Sequence, residues 1–462
     1  MTTRRDQVQA YGFMRGRLSS ALVHGEPDAA QLPMQRTTGA LWGGLALGAL
    51  GVVGFLLWGV FSPVSKAAVA PAAGELIVVP QTGTSYVYSG GKLQPVLNWA
   101  SARLLLNGSP QVQSEPATAL ADIPLGPSLG IVGAPDTLPA VVNKGDWLAC
   151  AQSANGQPRT AVAIGVHPAG AVPVPDGQAL VIDSDGSRYL VWQGQRLQLG
   201  APWIASALGL GQATPIQVSQ TWLNAVPAGP DLLPFSLDGV GGHGPVLDGQ
   251  ATRVGEVLTT RTMQDADALY LVESDGLTPI SPTQAALELA SPGTAAAYPH
   301  ALAAPVAVSE PAVASAPVGH QPLPDGTGAP GPLPSAAMPP AGDVPCVAYP
   351  GAGGVPPELL WTTPLGGSPP DLSAPAVVGT GTDASLITVA SGGGAVVQPV
   401  TATGTASGPA YLVTGNGIKF AVPTADELAA LGYQSGKAAR LPAALLGLLP
   451  TGPPLNLAPL PG

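Results

Sequence analysis

The stretch Gly39–Phe61, GALWGGLALGALGVVGFLLWGVF, decides the fold class of this chain. Its 23 residues include no charged residue and no proline. A helix rises about 1.5 Å per residue, so roughly 20 apolar residues cross the hydrocarbon core of a bilayer, and a helix satisfies its own backbone hydrogen bonds there. The sequence therefore predicts one transmembrane helix over residues 39–61, with a head of residues 1–38 before it.

Two alternatives to a membrane anchor fit this stretch less well. A secretory signal peptide has an apolar core of about 7–15 residues behind a short basic segment, and this run is longer and begins later. A buried core helix would carry a polar stripe, which is missing here. Only Lys66 follows the span closely, whereas five arginines precede it: Arg4, Arg5, Arg15, Arg17 and Arg36. By the positive-inside rule, we expect a cytoplasmic N-terminus and an extracytoplasmic C-terminal bulk.

The head contains the pattern of a basic helix. Apolar residues recur near helical spacing with the arginines mostly between them, at Val8, Tyr11, Leu18 and Leu22. We expect an amphipathic helix from about Asp6 to Val23, ended by Gly25, because glycine at that place caps a helix. Such a helix suits an anionic membrane surface or a partner protein, and the alternative is a solvated helix beside the membrane. The residues expected to bind there are Arg4, Arg5, Tyr11, Arg15, Arg17 and Arg36.

This N-terminal segment also resembles a known family. The run RDQVQAYGFMRGRLSSALVHGEPD, followed by PMQR and one span, is similar to the N-terminus of EccB, the single-span core component of type VII (ESX) secretion systems of actinobacteria. The matching positions are Gln7, Gln9, Tyr11, Arg17, Leu18, Ala21, Leu22, Gly25, Asp28 and Arg36. The resemblance implies a structural subunit of an inner-membrane secretion complex, which scaffolds the extracytoplasmic (periplasmic) side while a partner ATPase drives export.

The resemblance implies several partners as well. They are the FtsK/SpoIIIE-type motor ATPase EccC, the subunits EccD and EccE, a mycosin protease, inner-membrane lipid, and further copies of the chain in a hexameric complex. The span favours close approach of another helix, because small residues recur at a spacing of four. These residues are Gly39, Gly43, Gly44 and Gly48.

Charge and cysteine content limit the remaining function classes. The net charge is −11, of which the head contributes +2, so residues 62–462 have a net charge of −13. Nucleic-acid binding requires a basic surface, so we expect none here. In an oxidising compartment the two cysteines, Cys150 and Cys346, predict one disulfide, and the alternative is two buried free thiols.

Residues 62–462 contain a repeated pattern. Each copy has a tyrosine among apolar residues, a glycine five or six positions later, another apolar residue and a helix-like segment. With 61 glycines and 53 prolines disfavouring long helices, this pattern predicts a β-hairpin followed by a short helix, with one more strand upstream. The tyrosines are Tyr86, Tyr189, Tyr270 and Tyr411, and the glycines are Gly91, Gly194, Gly276 and Gly417. The upstream strands are expected at Leu76–Val79, Leu180–Asp183, Glu256–Thr260, and Leu386–Ala390 with Ala395–Val400.

The predicted fold class is thus a single-pass membrane protein with a large β-rich α+β extracytoplasmic domain. As in the resembled family, four β-hairpin–helix repeats are expected to surround a central lobe closed by the disulfide. The repeats are residues 62–115, 176–215, 251–291 and 384–449. The central lobe comprises 116–175 and 345–383, with a connection at 216–250. Proline-rich sequence predicts a linker over 292–344 and a tail over 450–462.

The sequence offers no convincing catalytic constellation. A phosphate-binding Walker A loop ends in Gly-Lys-Ser/Thr, whereas Lys92 and Lys437 are followed by Leu93 and Ala438. The five histidines show no metal-ligand spacing. We expect no catalytic residue, metal or cofactor, and the alternative is an ATP hydrolase, as some members of the resembled family are labelled.

A cell-wall binding module is a further alternative. Small β-rich repeats can bind wall polymers, and aromatic side chains can stack on sugars. Under this hypothesis Tyr189, Trp192 and Trp203 would contact peptidoglycan and anchor the secretion machine to it. The competing interpretation makes these aromatics core residues of the repeat.

Overall fold

Two long helices come first in the chain. They are α1, Arg4–His24, and α2, Gln35–Phe61. The computed structural model describes residues 3–25, 35–61, 72, 74–261, 267–319, 333–351, 357–401 and 404–460. The chain divides into two units, Met1–Ala70, which contains both helices, and Pro71–Gly462.

Helix α2 contains the predicted span. Its segment Thr37–Trp58 is 22 residues long, with a mean hydropathy of 2.0, and none of it is buried by the rest of the chain. The helix begins at Gln35, four residues before the predicted start. A candidate membrane span at the predicted place is therefore confirmed. Lys66, expected just beyond it, lies outside the described residues.

Helix α1 confirms the predicted head helix but not its amphipathic character. At its start, the Thr3 backbone N–H and hydroxyl donate to the Asp6 carboxylate at 3.1 and 2.6 Å. At its end, Gly25 adopts a left-handed φ of +70° and donates to the Ala21 carbonyl. The prediction of an amphipathic helix is wrong, because charged and apolar side chains are not separated into two faces. Arg15 lies four residues after Tyr11 and seven before Leu22, so it is in the middle of the expected apolar stripe.

The second unit begins with the first sheet, formed by β1 (Leu76–Val79), β2 (Thr84–Ser89), β3 (Lys92–Val96) and β4 (Val112–Ser114). Helix α3, Trp99–Leu105, lies between β3 and β4. Asn98 begins this helix by accepting the Ser101 N–H at 3.0 Å. Strands β1 to β3 form antiparallel hairpins, and β4 returns parallel to β1.

The other elements follow in chain order. Next come β5 (Val141–Val142), β6 (Trp147–Ala154), β7 (Gln157–Ile164), β8 (Val172–Pro173), β9 (Gln178–Ser184), β10 (Ser187–Trp192), β11 (Gln195–Gln198), α4 (Pro202–Ala207), β12 (Ile216–Gln217) and α5 (Gln220–Ala225). They are followed by β13 (His243–Leu247), β14 (Gln250–Arg253), β15 (Val257–Arg261), β16 (Asp267–Val272), β17 (Leu277–Ile280), α6 (Pro282–Ala290), β18 (Val306–Ala307) and α7 (Glu310–Ser315). The last are β19 (Ser335–Ala336), β20 (Val344–Tyr349), β21 (Glu358–Thr362), β22 (Leu386–Val389), β23 (Gly393–Val400), β24 (Ala410–Val413), β25 (Lys419–Val422), α8 (Ala425–Ala430), β26 (Ala439–Pro442) and α9 (Ala443–Leu446).

Four sheets share one strand order. The first is β3-β2-β1-β4, the second β11-β10-β9-β12, the third β17-β16-β15-β18 and the fourth β25-β24-β23-β26. In each, a helix after the third strand allows the fourth strand to return parallel to the first. The chain then runs parallel to the third strand, with bridges at Leu93–Leu125, Arg196–Ala228, Leu277–Val318 and Lys419–Thr451. Strand β19 adds to β9 of the second sheet and β5 to β23 of the fourth.

A six-stranded central sheet has the order β22-β7-β6-β20-β21-β8. Cys150 on β6 lies opposite Cys346 on β20, and the two fully buried cysteines form the predicted disulfide. The largest core cluster joins this sheet to others, with Trp147 from the central sheet, Leu180 from the second and Val397 from the fourth. The second sheet also contacts the third through Leu287 of α6.

Several predicted boundaries differ from the structure. The expected linker over 292–344 contains β18 of the third sheet and helix α7, whose Ala312 packs against that sheet. The expected connection over 216–250 contains β12 of the second sheet. Leu386–Val389, expected in the fourth repeat, pairs parallel with β7 of the central sheet. Strands of two to four residues carry too little periodicity to identify, and their partners are distant in sequence.

The proline-rich C-terminal segment is packed, not free. Its Leu455 is fully buried and its backbone N–H donates to the Ala421 carbonyl at 2.7 Å. Farther on, the Leu460 N–H donates to the Leu105 carbonyl of α3 at 2.9 Å. The segment therefore crosses from the fourth sheet to the first. Three leucines between the prolines supply the apolar surface for this packing, which the proline-rich composition does not predict.

Candidate functional surfaces

The membrane helix contains two pairs of small residues at a spacing of four, Gly39 with Gly43 and Gly44 with Gly48, on different sides of the helix. A Cβ atom built at Gly39, Gly43, Gly44 or Gly48 would meet no atom of the described residues within 4 Å. Large apolar side chains between them, such as Trp42 and Leu47, are mostly exposed as well. In lipid, small residues at a spacing of four let a second helix approach closely.

The head helix presents exposed cations beside exposed apolar side chains. Arg4, Arg5, Tyr11, Arg15 and Arg17 are all exposed. The Arg17 guanidinium lies 5.7 Å from the centre of the Phe13 ring, a cation–π distance. The Arg36 side chain lies outside the described residues. Mixed arginine and aromatic residues suit the membrane–water interface, where long cationic side chains reach the headgroups.

The four repeat tyrosines occupy the middle strand of the four small sheets. Tyr86 pairs across the hairpin with Pro95, and Tyr270 with Pro279, at equivalent positions in the first and third sheets. All four tyrosines are half-buried, and Tyr189 and Tyr411 pack against the largest core cluster. Their place in the sheets indicates a structural role.

The repeat glycines make the hairpin turns in two ways. Gly91, Gly194 and Gly417 adopt positive φ values of +76°, +72° and +78°, which favour glycine. Gly276 instead allows a close approach, because a Cβ there would lie 2.5 Å from the Gly319 backbone nitrogen.

One aromatic residue of the sugar-stacking hypothesis is inaccessible. Trp192 is only 2% exposed, and its Nε1–H donates to the Asp176 carbonyl at 2.6 Å. The alternative hypothesis that Trp192 stacks on sugars is therefore excluded, since a ring must expose a face to do so, and Trp192 is the core residue that the competing interpretation expects. Tyr189 and Trp203 are half-buried against core clusters.

Two buried ionisable side chains hold loops onto the sheets, and the sequence pattern did not reveal them. Glu288 on α6 is 3% exposed and accepts the Phe235 backbone N–H, and burial raises the pKa of this carboxyl to about 7. Lys419 on β25 donates from Nζ to the Leu446 carbonyl at 2.6 Å. Burial lowers the pKa of this ammonium group, partly opposed by the negative charge of Asp383.

The two Gly-Lys dipeptides have no phosphate-loop geometry. Lys92 begins β3 directly after a hairpin turn, and Lys437 ends a 3-10 turn, Ser435–Lys437, before β26. A Walker A loop instead joins a strand to the N-terminus of a helix. In the described part of the chain, no three His, Cys, Asp or Glu side chains are grouped to hold a metal ion.

Comparison with known proteins gives a consistent picture. Residues 1–459 match the family model described as type VII secretion system ESX-1, transport TM domain B. The chain is similar to a protein of Mycolicibacterium smegmatis named ESX-3 secretion system ATPase EccB3, with 30% identity over 296 residues, which are 61% of this chain and 56% of that protein. It is also similar to ESX-2 secretion system ATPase EccB2 of Mycobacterium tuberculosis, with 29% identity covering 69% of this chain and 65% of that protein. The alignment with the first of these thus spans little more than half of the relative's length.

Two solved structures share this fold. The EccB3 dimer from the ESX-3 core complex has a TM-score of 0.63 and 25% identity, covering 83% of this chain and 98% of that one. An intact ESX-5 inner membrane complex contains a chain with a TM-score of 0.62 and 23% identity, covering 99% of this chain and 94% of that one.

Proposed function

This chain belongs to the EccB family of type VII secretion systems, and from that membership we propose that it is a structural subunit of an ESX inner-membrane complex. The observation that carries the proposal is that one family match, over residues 1–459, includes the head, the apolar helix and the large β-rich unit together. The subunit scaffolds the extracytoplasmic side of the complex, and a partner ATPase supplies the energy for export.

We propose that residues 1–38 are cytoplasmic and that the second unit is periplasmic. The arginines of the head support this orientation through the positive-inside rule. The buried Cys150–Cys346 disulfide supports it independently, because disulfides persist in oxidising compartments. The apolar helix α2 then crosses the inner membrane once.

The proposed partners follow from the family. They are the motor ATPase EccC, the subunits EccD and EccE, a mycosin protease, inner-membrane lipid and further copies of this chain in a hexameric assembly. A relative solved as a dimer and another solved within an intact inner membrane complex support assembly. Within the membrane, each of the two glycine pairs, Gly39/Gly43 and Gly44/Gly48, lets a neighbouring helix pack closely, and the head arginines bind lipid headgroups or a cytoplasmic subunit.

We also propose that the four small sheets are copies of one unit, arranged about the central sheet. Their common strand order and the equivalent places of Tyr86, Tyr189, Tyr270 and Tyr411 support this. Each copy offers its own edges and loops to neighbours, so a single chain can contact several subunits. A scaffold needs that property more than it needs a cleft for chemistry.

Deletion of the gene and blue-native electrophoresis of the solubilised membranes test the proposal. We expect the high-molecular-weight ESX complex to disappear and to return when the wild-type chain is supplied in trans. A complex of unchanged size and abundance without the chain contradicts a structural role. To separate scaffold from enzyme, Lys92→Ala supplied in trans should restore both the complex and secretion.

A further inference from the structure

A cleft of about 500 Å³ lies between the first and fourth sheets, beside helices α3 and α8. Three cations line it: Arg103, Lys144 and Lys437. Apolar side chains, including Val142 and Leu431, also line it, together with the half-buried rings of Trp99 and Tyr433. Cations above an apolar floor are unusual in this unit, because residues 71–462 have a net charge of −14 (11 Lys and Arg against 25 Asp and Glu).

The charge of this cleft differs from that of three others on the same unit. One is lined by Asp426 and Glu427, a second by Asp136 and a third by Asp176 and Glu358, and no lysine or arginine lines any of them. The cationic cleft contains no aspartate or glutamate. Among the described residues, none of its three cations has a carboxylate within 4.0 Å. The cations therefore repel one another and have no counter-charge within the cleft.

Arg103 is held in place by neutral groups. Its Nε–H donates to the Ala430 carbonyl at 3.1 Å, and its Nη2 donates to the Ser109 hydroxyl at 2.9 Å. Gly432, at φ +92°, makes room for it, since a Cβ there would lie 2.8 Å from Nη2. A half-buried guanidinium fixed by neutral acceptors keeps its full charge and part of its hydrogen-bonding capacity for a ligand.

Tyr433 completes the wall beside Arg103. Its hydroxyl donates to the Pro139 carbonyl at 2.9 Å, which fixes the ring across the cleft. Burial raises the pKa of this phenol to about 12, and the nearby Arg103 charge opposes that rise. The side of the cleft is therefore preformed, while Lys144 and Lys437 are exposed and have long side chains that can reach a ligand.

We propose that this cleft docks an acidic segment of a partner protein, whose carboxylates pair with Arg103, Lys144 and Lys437 while a neighbouring apolar side chain packs on Trp99 and the floor. The inference rests on the proposed function, because it takes assembly as the role of this unit. Charge complementarity favours an acidic partner. Tryptophan, tyrosine and arginine together, in a cleft open to solvent, are the residues that contribute most to protein–protein binding.

Fluorescence anisotropy on the purified full-length chain in zwitterionic detergent tests this docking site. The probe is a fluorescein-labelled peptide of six Glu, three Leu and three Ala residues, and the control peptide replaces each Glu with Gln. We expect the wild-type chain to bind the Glu peptide at least about tenfold more tightly, with affinity that falls as salt screens the charges. Equal affinity for the two peptides overturns the proposal.

Two variants locate the binding. Arg103→Gln should weaken the Glu peptide about tenfold, because a charged hydrogen-bond donor is lost. The double variant K144Q/K437Q changes only exposed side chains, so it should fold normally and still weaken binding about tenfold. The control Arg188→Gln, at an exposed position on the second sheet, makes the same charge change as Arg103→Gln and should bind as wild type.

Inorganic phosphate distinguishes a protein segment from a free anion. Phosphate that displaces the Glu peptide at micromolar concentration would show a small-anion site and overturn docking of a peptide. Wild-type binding by both cleft variants would also overturn it. These measurements need only the purified chain, whereas the proposed scaffold function is tested by deletion and native gels, so failure of one does not imply failure of the other.

Discussion

Helix α2 and the central sheet are both apolar, yet they occur in opposite surroundings. In Thr37–Trp58 no side chain is buried by the chain. In the central sheet, Trp147, Cys150 and Cys346 are completely buried. Apolar side chains leave water in both cases, but one set requires lipid or other helices and the other finds its partners within the chain.

The two regions also differ in how backbone groups are satisfied. A single helix forms its hydrogen bonds with itself, so α2 needs no partner for them. The central sheet pairs strands that are distant in sequence, and its disulfide joins cysteines 196 residues apart. Stability in α2 therefore depends on local composition and a bilayer, whereas the sheet depends on long-range contacts.

Charges in the span should produce the largest effect. The double variant L45R/L50R places two arginines in α2, each costing about 2.5–3.5 kcal/mol near the bilayer centre. We expect carbonate extraction to release the chain from membranes. The conservative control variant L45I/L50I should stay in the membrane pellet. If L45R/L50R also stays in the pellet, α2 is not a membrane helix and the prediction is contradicted.

Loss of the disulfide should affect the central sheet and leave α2 unchanged. C150A/C346A should lower the free energy of unfolding by about 2–5 kcal/mol, because the unfolded chain gains freedom when the crosslink is removed. Denaturant unfolding of the detergent-solubilised chain measures this. Carbonate extraction of the same variant should match wild type, and an unchanged unfolding midpoint would contradict the structural importance of the bond.

Response to pH should separate the regions further. Thr37–Trp58 contains no Asp, Glu, His, Lys or Arg, so retention of α2 in the membrane should not change with pH. Glu288 has a pKa raised from 4.5 to about 7, so its protonated form favours the fold. Its contribution is fully present below pH 4.5 and is lost as pH rises to about 7. The loss should be on the order of 3 kcal/mol.

Glu288→Gln isolates this contribution. The amide can still accept the Phe235 N–H, but it carries no charge at any of these pH values. The melting temperature of the variant should change less than that of wild type between pH 4.5 and pH 7. Parallel curves for the two chains would contradict a buried, titrating Glu288.

The smallest expected effect is a difference in stability between variants of two buried tryptophans, which form a closely matched pair. Trp222 donates its Nε1–H to the Ala149 carbonyl at 2.9 Å, whereas no partner for the Trp147 Nε1–H lies among the described residues. Both are fully buried, so phenylalanine removes similar volume at each site. W222F should therefore destabilise by about 1 kcal/mol more than W147F, the value of one hydrogen bond. Equal losses in chemical unfolding would contradict this difference.

Local sequence signals predicted the hairpins well. Gly91 and Gly417 mark turns that the structure forms with positive φ, and Asn-Gly at 416–417 is a strong hairpin dipeptide. The fourth strands were missed because β12 and β18 have two residues each. No turn sequence marks the fourth strand of each sheet, because a helix and a loop separate this strand from the first strand, with which it pairs in parallel.

Some candidate surfaces could likewise be predicted from local sequence, and one could not. The arginines of the head and the two small-residue pairs of α2 could be found from spacing alone. The cationic cleft could not, because Arg103, Lys144 and Lys437 come from three distant parts of the chain. The amphipathic head was a wrong prediction, since counting apolar positions overlooked Arg15 within the stripe.

By itself, the sequence determined the single apolar span, the head helix with its glycine end, the disulfide chemistry and the four hairpins, because each depends on residues that are neighbours or on composition. Only the tertiary structure decided that Leu386–Val389 joins the central sheet, that the proline-rich end packs on the first and fourth sheets, and that three cations meet in one cleft. These features arise from contacts across hundreds of residues, where the free energy of burial selects partners that no local pattern encodes.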